Sequence, residues 1–200
     1  MRTPGEAAWI YGKVEDVISD AVESWLQQLN ASMKATLREM IAKAVTSGAS
    51  DIERLPSQVL CLAEVVGFTR ECEAAIPGGR PSLTALRQQL MTRLGELTSY
   101  PTDVPLTSLK VKALVLDLIH NMDVVDQLLA AGTSHTNDWV WRKRLRYYMK
   151  EGASAVVMRM VSAQFDYTYE YQGNCPKLVH TPLTDKCYRT LTQAMHMGYG

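Results

Sequence analysis

Between Val14 and Leu128 apolar residues recur in four separate runs, mostly three or four positions apart and strictly so in the first, and that spacing leaves few architectures open. An α-helix brings positions three and four apart onto one face, so each run reads as the apolar side of an amphipathic helix. The first run is Val14, Val17, Ala21, Trp25, Leu29, Met33, Leu37, Met40 and Ala44, closed by the polar stretch Thr46-Ser47-Gly48-Ala49-Ser50. The second opens near Pro56, which suits a first turn because its missing N–H costs nothing there. It carries Val59, Leu60, Ala63, Val66 and Ile76 and is predicted to stop before Pro77-Gly78-Gly79. The third starts from about Ser82, a candidate N-cap, with Leu83, Leu86, Leu90, Leu94 and Leu97 in one stripe. After a loop between Pro101 and Pro105, the fourth holds Leu109, Ala113, Leu116, Ile119, Val124 and Leu128, with Gly132 as its C′ glycine. Helices of this kind hide their apolar faces on one another, which predicts an antiparallel bundle.

After Gly152 the period changes to two. Val157, Arg159, Val161, Ala163, Phe165, Tyr167, Tyr169 and Tyr171 alternate with mostly polar neighbours, as in a strand or hairpin. Gln172-Gly173-Asn174 marks a turn, and Leu178 with Val179 is predicted as a short strand. Thr181 then stands as N-cap before Pro182 at N1, opening a helix through Met197, with Gly198 as its C′ residue. The predicted fold is mainly α: an antiparallel helical bundle, then a short β segment, then the first helix of an α/β module. The boundary falls near Phe165. Strand, turn, short apolar strand and capped helix, in that order, make the front edge of a nucleotide-binding module.

Composition narrows the function. Lys+Arg and Asp+Glu are 21 each, so no global field draws in nucleic acid or an anionic membrane surface. No apolar run approaches the roughly 20 residues of a membrane helix. The first residues, MRTPGEAAWIYGKVEDV, hold no apolar core of a secretory signal, which predicts a reducing compartment and free thiols at Cys61, Cys72, Cys175 and Cys187. No cysteine or histidine spacing proposes a metal site. Arg142, Lys143, Arg144 and Arg146 among Trp139, Trp141, Tyr147 and Tyr148 suggest a single-strand RNA patch, but the expected arrangement is aromatics packed inward beneath arginine stems. Tyr167, Tyr169 and Tyr171 are expected to form a packed face. His120, His135, His180 and His196 stand apart, and no catalytic residue is proposed.

Two groups of words carry a resemblance. YEYQGN, KLVHTPLTDKCY and LTQAM resemble the approach to the first AAA+ module of dynein heavy chains. PSQVLCLAEVVGFTRECEAAI, LKVKALVLDLIHNMDVV and DWVWRKRLRYYM, in that order, resemble the linker of the same proteins. Within the family, YTYEYQGN and QAMHMG are similar to the class that serves intraflagellar transport, and Arg189 stands where an apolar residue or Leu is usual. The resemblance implies that residues 1–164 are the C-terminal helical part of the linker. It makes 165–200 the N-terminal edge of the first AAA+ ATPase module, with a glycine-rich phosphate loop following Gly200. The parent it implies hydrolyses ATP with Mg, moves toward microtubule minus ends in retrograde transport and uses the linker as a lever on its AAA+ ring. Its implied partners are the rest of the heavy chain, microtubules, and intermediate, light intermediate and light chains. Its implied location is cytoplasm, cytoskeleton, and cilium or flagellum.

The candidate site is Leu178, Val179, Thr181, Pro182 and Leu183. An adenine ring needs a flat apolar slot and a few backbone hydrogen bonds, and a loop opening into a helix offers both. Composition alone reads this segment as core; the resemblance implies the adenine side of the first ATP site. The sequence contains no G-x-x-x-x-G-K-[ST] and no Walker-B strand, so these residues by themselves are expected to bind no Mg and hydrolyse nothing. The alternative is a stand-alone helical module binding a partner helix or RNA.

Overall fold

The computed structural model describes residues 22–47, 51–150, 155–173 and 179–199. Four long helices come first: α1 (Val22–Ser47), α2 (Ser57–Ala75), α3 (Gly79–Thr98) and α4 (Pro105–Ala131). A single turn, α5 (Trp139–Arg142), leads into strands β1 (Arg146–Met149), β2 (Val156–Met160) and β3 (Ala163–Asp166), and the last helix is α6 (Pro182–Met197). The start of the first predicted helix, Val14 to Ala21, lies outside the described residues, as do Cys175 and Leu178.

Packing selects the buried face of each helix. α1 buries Leu37, Ile41 and Ala44, whereas Trp25 at its start is exposed. α2 is the central helix, and Val59, Leu60, Leu62, Ala63, Val66, Phe68 and Cys72 are all buried. Pro56 does not occupy its first turn. It caps it, with an extended ψ of 146°, and its carbonyl accepts from the Val59 and Leu60 amides at 3.0 and 3.1 Å. α2 ends at Ala75, before Pro77 as expected, and the chain then passes through a 3-10 turn, Ile76–Gly78, straight into α3. Ser82 is therefore inside the first turn and is no N-cap. The reversal needs glycine twice: Gly79 has φ 65° and ψ −151°, and a Cβ on Gly78 would stand 2.0 Å from the Ser82 hydroxyl.

Along α4 the predicted stripe is partly displaced. Leu109, Leu116 and Ile119 are exposed, and the buried set is Val111, Leu114, Leu118, Val124, Val125 and Leu128. The segment LKVKALVLDLI is apolar on more than one face, so spacing alone does not say which face α2 and α3 cover. Helix directions follow from the partners. Arg87 near the start of α3 pairs with Asp126 near the end of α4, so these two are antiparallel. Leu60 early in α2 shares a cluster with Val111 and Leu114 early in α4, so α2 and α4 pack directly on each other and run parallel. The C-terminal left-handed glycines expected at Gly132 and Gly198 are present, with φ 63° and 72°.

The bundle encloses polar groups that need partners. Lys110, only 1% exposed, donates to the Glu53 carbonyl at 3.1 Å. Arg93 donates to both Glu64 and Glu71. Burial pushes the Glu64 carboxyl above its usual range despite Arg93, and Glu71 and Asp117 add to the rise. A carboxyl raised in the fold contributes stability that is complete below its unfolded pKa and is lost as pH rises through the folded value. Relative to Glu64→Gln, the wild-type unfolding free energy in urea is therefore expected to decline as pH rises above about 4.5. A pH-independent difference between the two proteins would contradict this placement of Glu64. Burial, with Glu73 and Glu71 nearby, also raises the Cys72 thiol to about 12, so it is an inert core residue.

The strands form one antiparallel sheet in the order β1-β2-β3. β2 and β3 are the hairpin the period-two pattern predicts, with Met158 opposite Phe165. β1 comes from the basic and aromatic segment and is not foreseen, because four residues are too few to show a period. The tight turn places Val161 at φ 55°, a conformation that branched side chains resist. Val161→Gly is expected to raise stability by about 0.5–1 kcal/mol, read as a higher denaturation midpoint at unchanged slope.

Tyr167, Tyr169 and Tyr171 lie beyond β3 in irregular chain, with Tyr169 at φ 56°, and pack, as expected, against a core made by α1, α2 and β2. Gln58 of α2 pins this stretch: its amide donates to the Tyr167 hydroxyl at 2.7 Å and the Glu170 carbonyl at 2.8 Å, and accepts from the Gln172 amide at 3.0 Å.

Candidate functional site

The turn before α6 is built by its sequence. The Thr181 hydroxyl accepts from the Thr184 amide at 3.2 Å, and the Thr184 hydroxyl accepts from the Thr181 amide at 2.8 Å. This is a reciprocal capping box with threonine in the place usually held by Glu or Gln. Pro182 fills N1 with its ring where no amide is needed. Asp185 in the first turn complements the positive end of the helix dipole. The helix predicted to open at Thr181-Pro182 and to run through Met197 is thus found with those bounds.

The proposed slot residues are placed unevenly. Val179 is 65% exposed and Leu183 70% exposed, and Val179 belongs to no strand. Both present apolar surface to solvent, so neither is core. Thr181 and Pro182 instead line a cleft of about 430 Å³ with His120, Asp123, Asp126, Gln127, Ala130, Arg144, His180 and Asp185. The His120 and His180 rings stack at 3.7 Å and 18°. Arg87 holds Asp126 through two bonds, at 2.5 and 3.1 Å. Arg144 holds Asp185 at 2.5 Å and also donates to Gln127.

This geometry separates two surfaces. The cleft is lined by three carboxylates and suits no polyphosphate. Outside the cleft, Val179 and Leu183 leave exposed apolar surface beside the helix start. Among the described residues, no group of three or more His, Cys, Asp or Glu side chains is disposed to hold a metal ion. No described helix is long and apolar enough to cross a membrane.

The basic and aromatic segment is mostly committed to the fold. Trp141 is buried and donates to Glu73 at 3.0 Å, and Tyr148 donates to the same carboxylate at 2.6 Å. Arg144 and Arg146 are buried as well, contrary to the expectation that the arginines cover the surface. Their hydrogen bonds to Asp185, Gln127 and Tyr148 explain why. Only Arg142 and the ring of Trp139 stay exposed, with Arg189 of α6 6.0 Å over that ring. Sequence reasoning missed Arg144, Gln127 and His120 as neighbours of the turn. An acidic residue in a helix's first turn was the one available signal, at Asp185.

The fold is a helical region followed by a small antiparallel sheet and a capped helix, and the comparisons name its class. The family described as the hydrolytic ATP binding site of the dynein motor region matches residues 167–200. The chain belongs to the dynein heavy chain family. Cytoplasmic dynein 2 heavy chain 1 of Caenorhabditis elegans is 50% identical over 90% of this chain, and that of Mus musculus 46% identical over 98%. The human dynein axonemal heavy chain 12 is 35% identical over 90%. The chain spans only 4–6% of the length of these relatives.

Proposed function

We infer that this chain works as the joint between lever and engine in a cytoplasmic dynein 2 type motor. Residues 1–164 act as the C-terminal helical part of the linker, and 165–200 form the leading edge of the first AAA+ ATPase module. In the complete heavy chain, Val179, Thr181, Pro182 and Leu183, with Leu178, contribute the adenine side of the ATP site. ATP and Mg supply the phosphoryl chemistry there, and this chain's own residues orient the base and exclude water from it. The motor walks toward microtubule minus ends in retrograde intraflagellar transport, in cytoplasm and cilium. Its partners are the AAA+ ring, microtubules and the accessory dynein chains.

The observation that carries this reading is the coincidence of the matched ATP-site family with the capped turn at Thr181 and its exposed apolar neighbours. Identity of 46–50% over at least 90% of the chain favours a motor segment over a stand-alone helical or RNA-binding module. The test is microtubule-stimulated ATP hydrolysis by the heavy chain carrying this segment. The 200-residue chain alone is expected to release no phosphate above background. Steady hydrolysis by the isolated chain, or a heavy chain inert to microtubules, would sink the reading.

A further inference from the structure

No side chain of α6 is buried, so this helix is tied to the body by its polar contacts. At its far end Gln193 donates to the Met160 carbonyl at 2.9 Å. At its start the ties converge on one residue. Arg144, 7% exposed, sends one arm to Asp185 of α6 and the other to Gln127 of α4. Its backbone amide donates to the Trp141 carbonyl at 2.9 Å, and Trp141 lies in the bundle core. Asp185 in turn donates its amide to the Thr181 carbonyl at 3.0 Å. A continuous line of hydrogen bonds thus runs from α4 and the core, through one buried guanidinium, to the cap of the nucleotide turn.

A guanidinium fork is planar and rigid, so it fixes direction as well as distance. With its two arms on different helices, Arg144 sets the angle of the α6 first turn relative to α4. We propose that Arg144, braced by Gln127 and paired with Asp185, is the positioning residue that couples the helical body to the nucleotide turn Val179–Leu183. The inference rests on the reading of that turn as the adenine side. Arg144 itself touches no nucleotide. By linkage, a nucleotide that prefers one placement of the turn favours one placement of α4, and a displaced α4 changes nucleotide affinity by the same factor.

The test is calorimetric titration of ADP into the heavy chain carrying this segment. Asp185→Asn preserves size and the Thr181 cap and removes the charge. It is expected to weaken ADP binding about fivefold or more, the lower end of ordinary coupling between sites. Its unfolding temperature should fall, because the buried Arg144 guanidinium loses its counter-charge, so the titration is run well below that temperature on folded protein. Arg144→Gln should weaken binding to a similar extent, and the double variant should match the single ones, because all three break one link. Asp185→Glu should recover most of the affinity. Effects that multiply in the double variant would overturn the proposal. So would wild-type affinity in Asp185→Asn while Val179→Asp weakens binding, a result that leaves the adenine-side reading standing. If neither Asp185→Asn nor Val179→Asp weakens binding, that reading falls and this inference with it. Should Arg144→Gln fail to fold, Asp185→Asn and Asp185→Glu decide.

Discussion

Val179→Asp is expected to weaken ATP and ADP binding by the heavy chain about ten- to hundredfold, while the unfolding free energy of this chain stays within about 0.5 kcal/mol. The two halves of that expectation come from different facts. Val179 is 65% exposed and belongs to none of the buried clusters, so a carboxylate there remains hydrated and folding loses nothing. A bound adenine changes its surroundings. The carboxylate must then shed water beside an apolar ring without a hydrogen-bond partner, at about 1–3 kcal/mol. Leu183→Asp should behave alike, since Leu183 is just as exposed beside the same helix start. A folded Val179→Asp heavy chain that binds nucleotide like its parent would show Val179–Leu183 to be scaffold and remove the adenine-side assignment.

How much could be read ahead differed by element, for physical reasons. The helix start at Thr181-Pro182 and the left-handed ends at Gly132 and Gly198 were legible, because capping is local chemistry carried by a few adjacent residues. The hairpin was legible because alternation directly records which face of a strand is covered. The face of α4 was not, because a helix packed on two neighbours is apolar around much of its circumference, and only the neighbours decide between Leu116 and Leu118. Arg144 was read as surface, the ordinary fate of an arginine. Its burial depends on Gln127 and Asp185, which lie 17 and 41 residues away, and no local pattern records such a meeting. The site divides the same way. The turn was visible as a capped helix start, and the cleft behind it was not, because it is assembled from α4, the segment after α5, and α6.

Trp141→Ala is expected to destabilise the chain by about 3–5 kcal/mol, a large part of the total stability of a domain this size. Trp139, two positions earlier in the same four-residue helix, is the internal control. Trp141 is 1% exposed, sits edge-on to Phe68 with ring centroids 6.3 Å apart, and is packed with Leu83, Leu86, Val124 and Leu128. Truncation removes the ring from a filled core and leaves a cavity that rigid helices close poorly. It also strips Glu73 of one of its two donors, leaving Tyr148 alone on that carboxylate. Trp141→Phe keeps one aromatic ring in the core but loses the indole N–H and part of the ring system, so its cost should lie between those of wild type and Trp141→Ala. Trp139→Ala removes an exposed ring that lies 6.0 Å beneath the Arg189 guanidinium, and should cost no more than about 1 kcal/mol. Urea unfolding of the three variants measures all of this. Equal losses at Trp139 and Trp141 would mean that the bundle core does not close on Trp141. The carbonyl that receives the Arg144 amide would then have no fixed place, and the path from α4 to the nucleotide turn would lose its anchor.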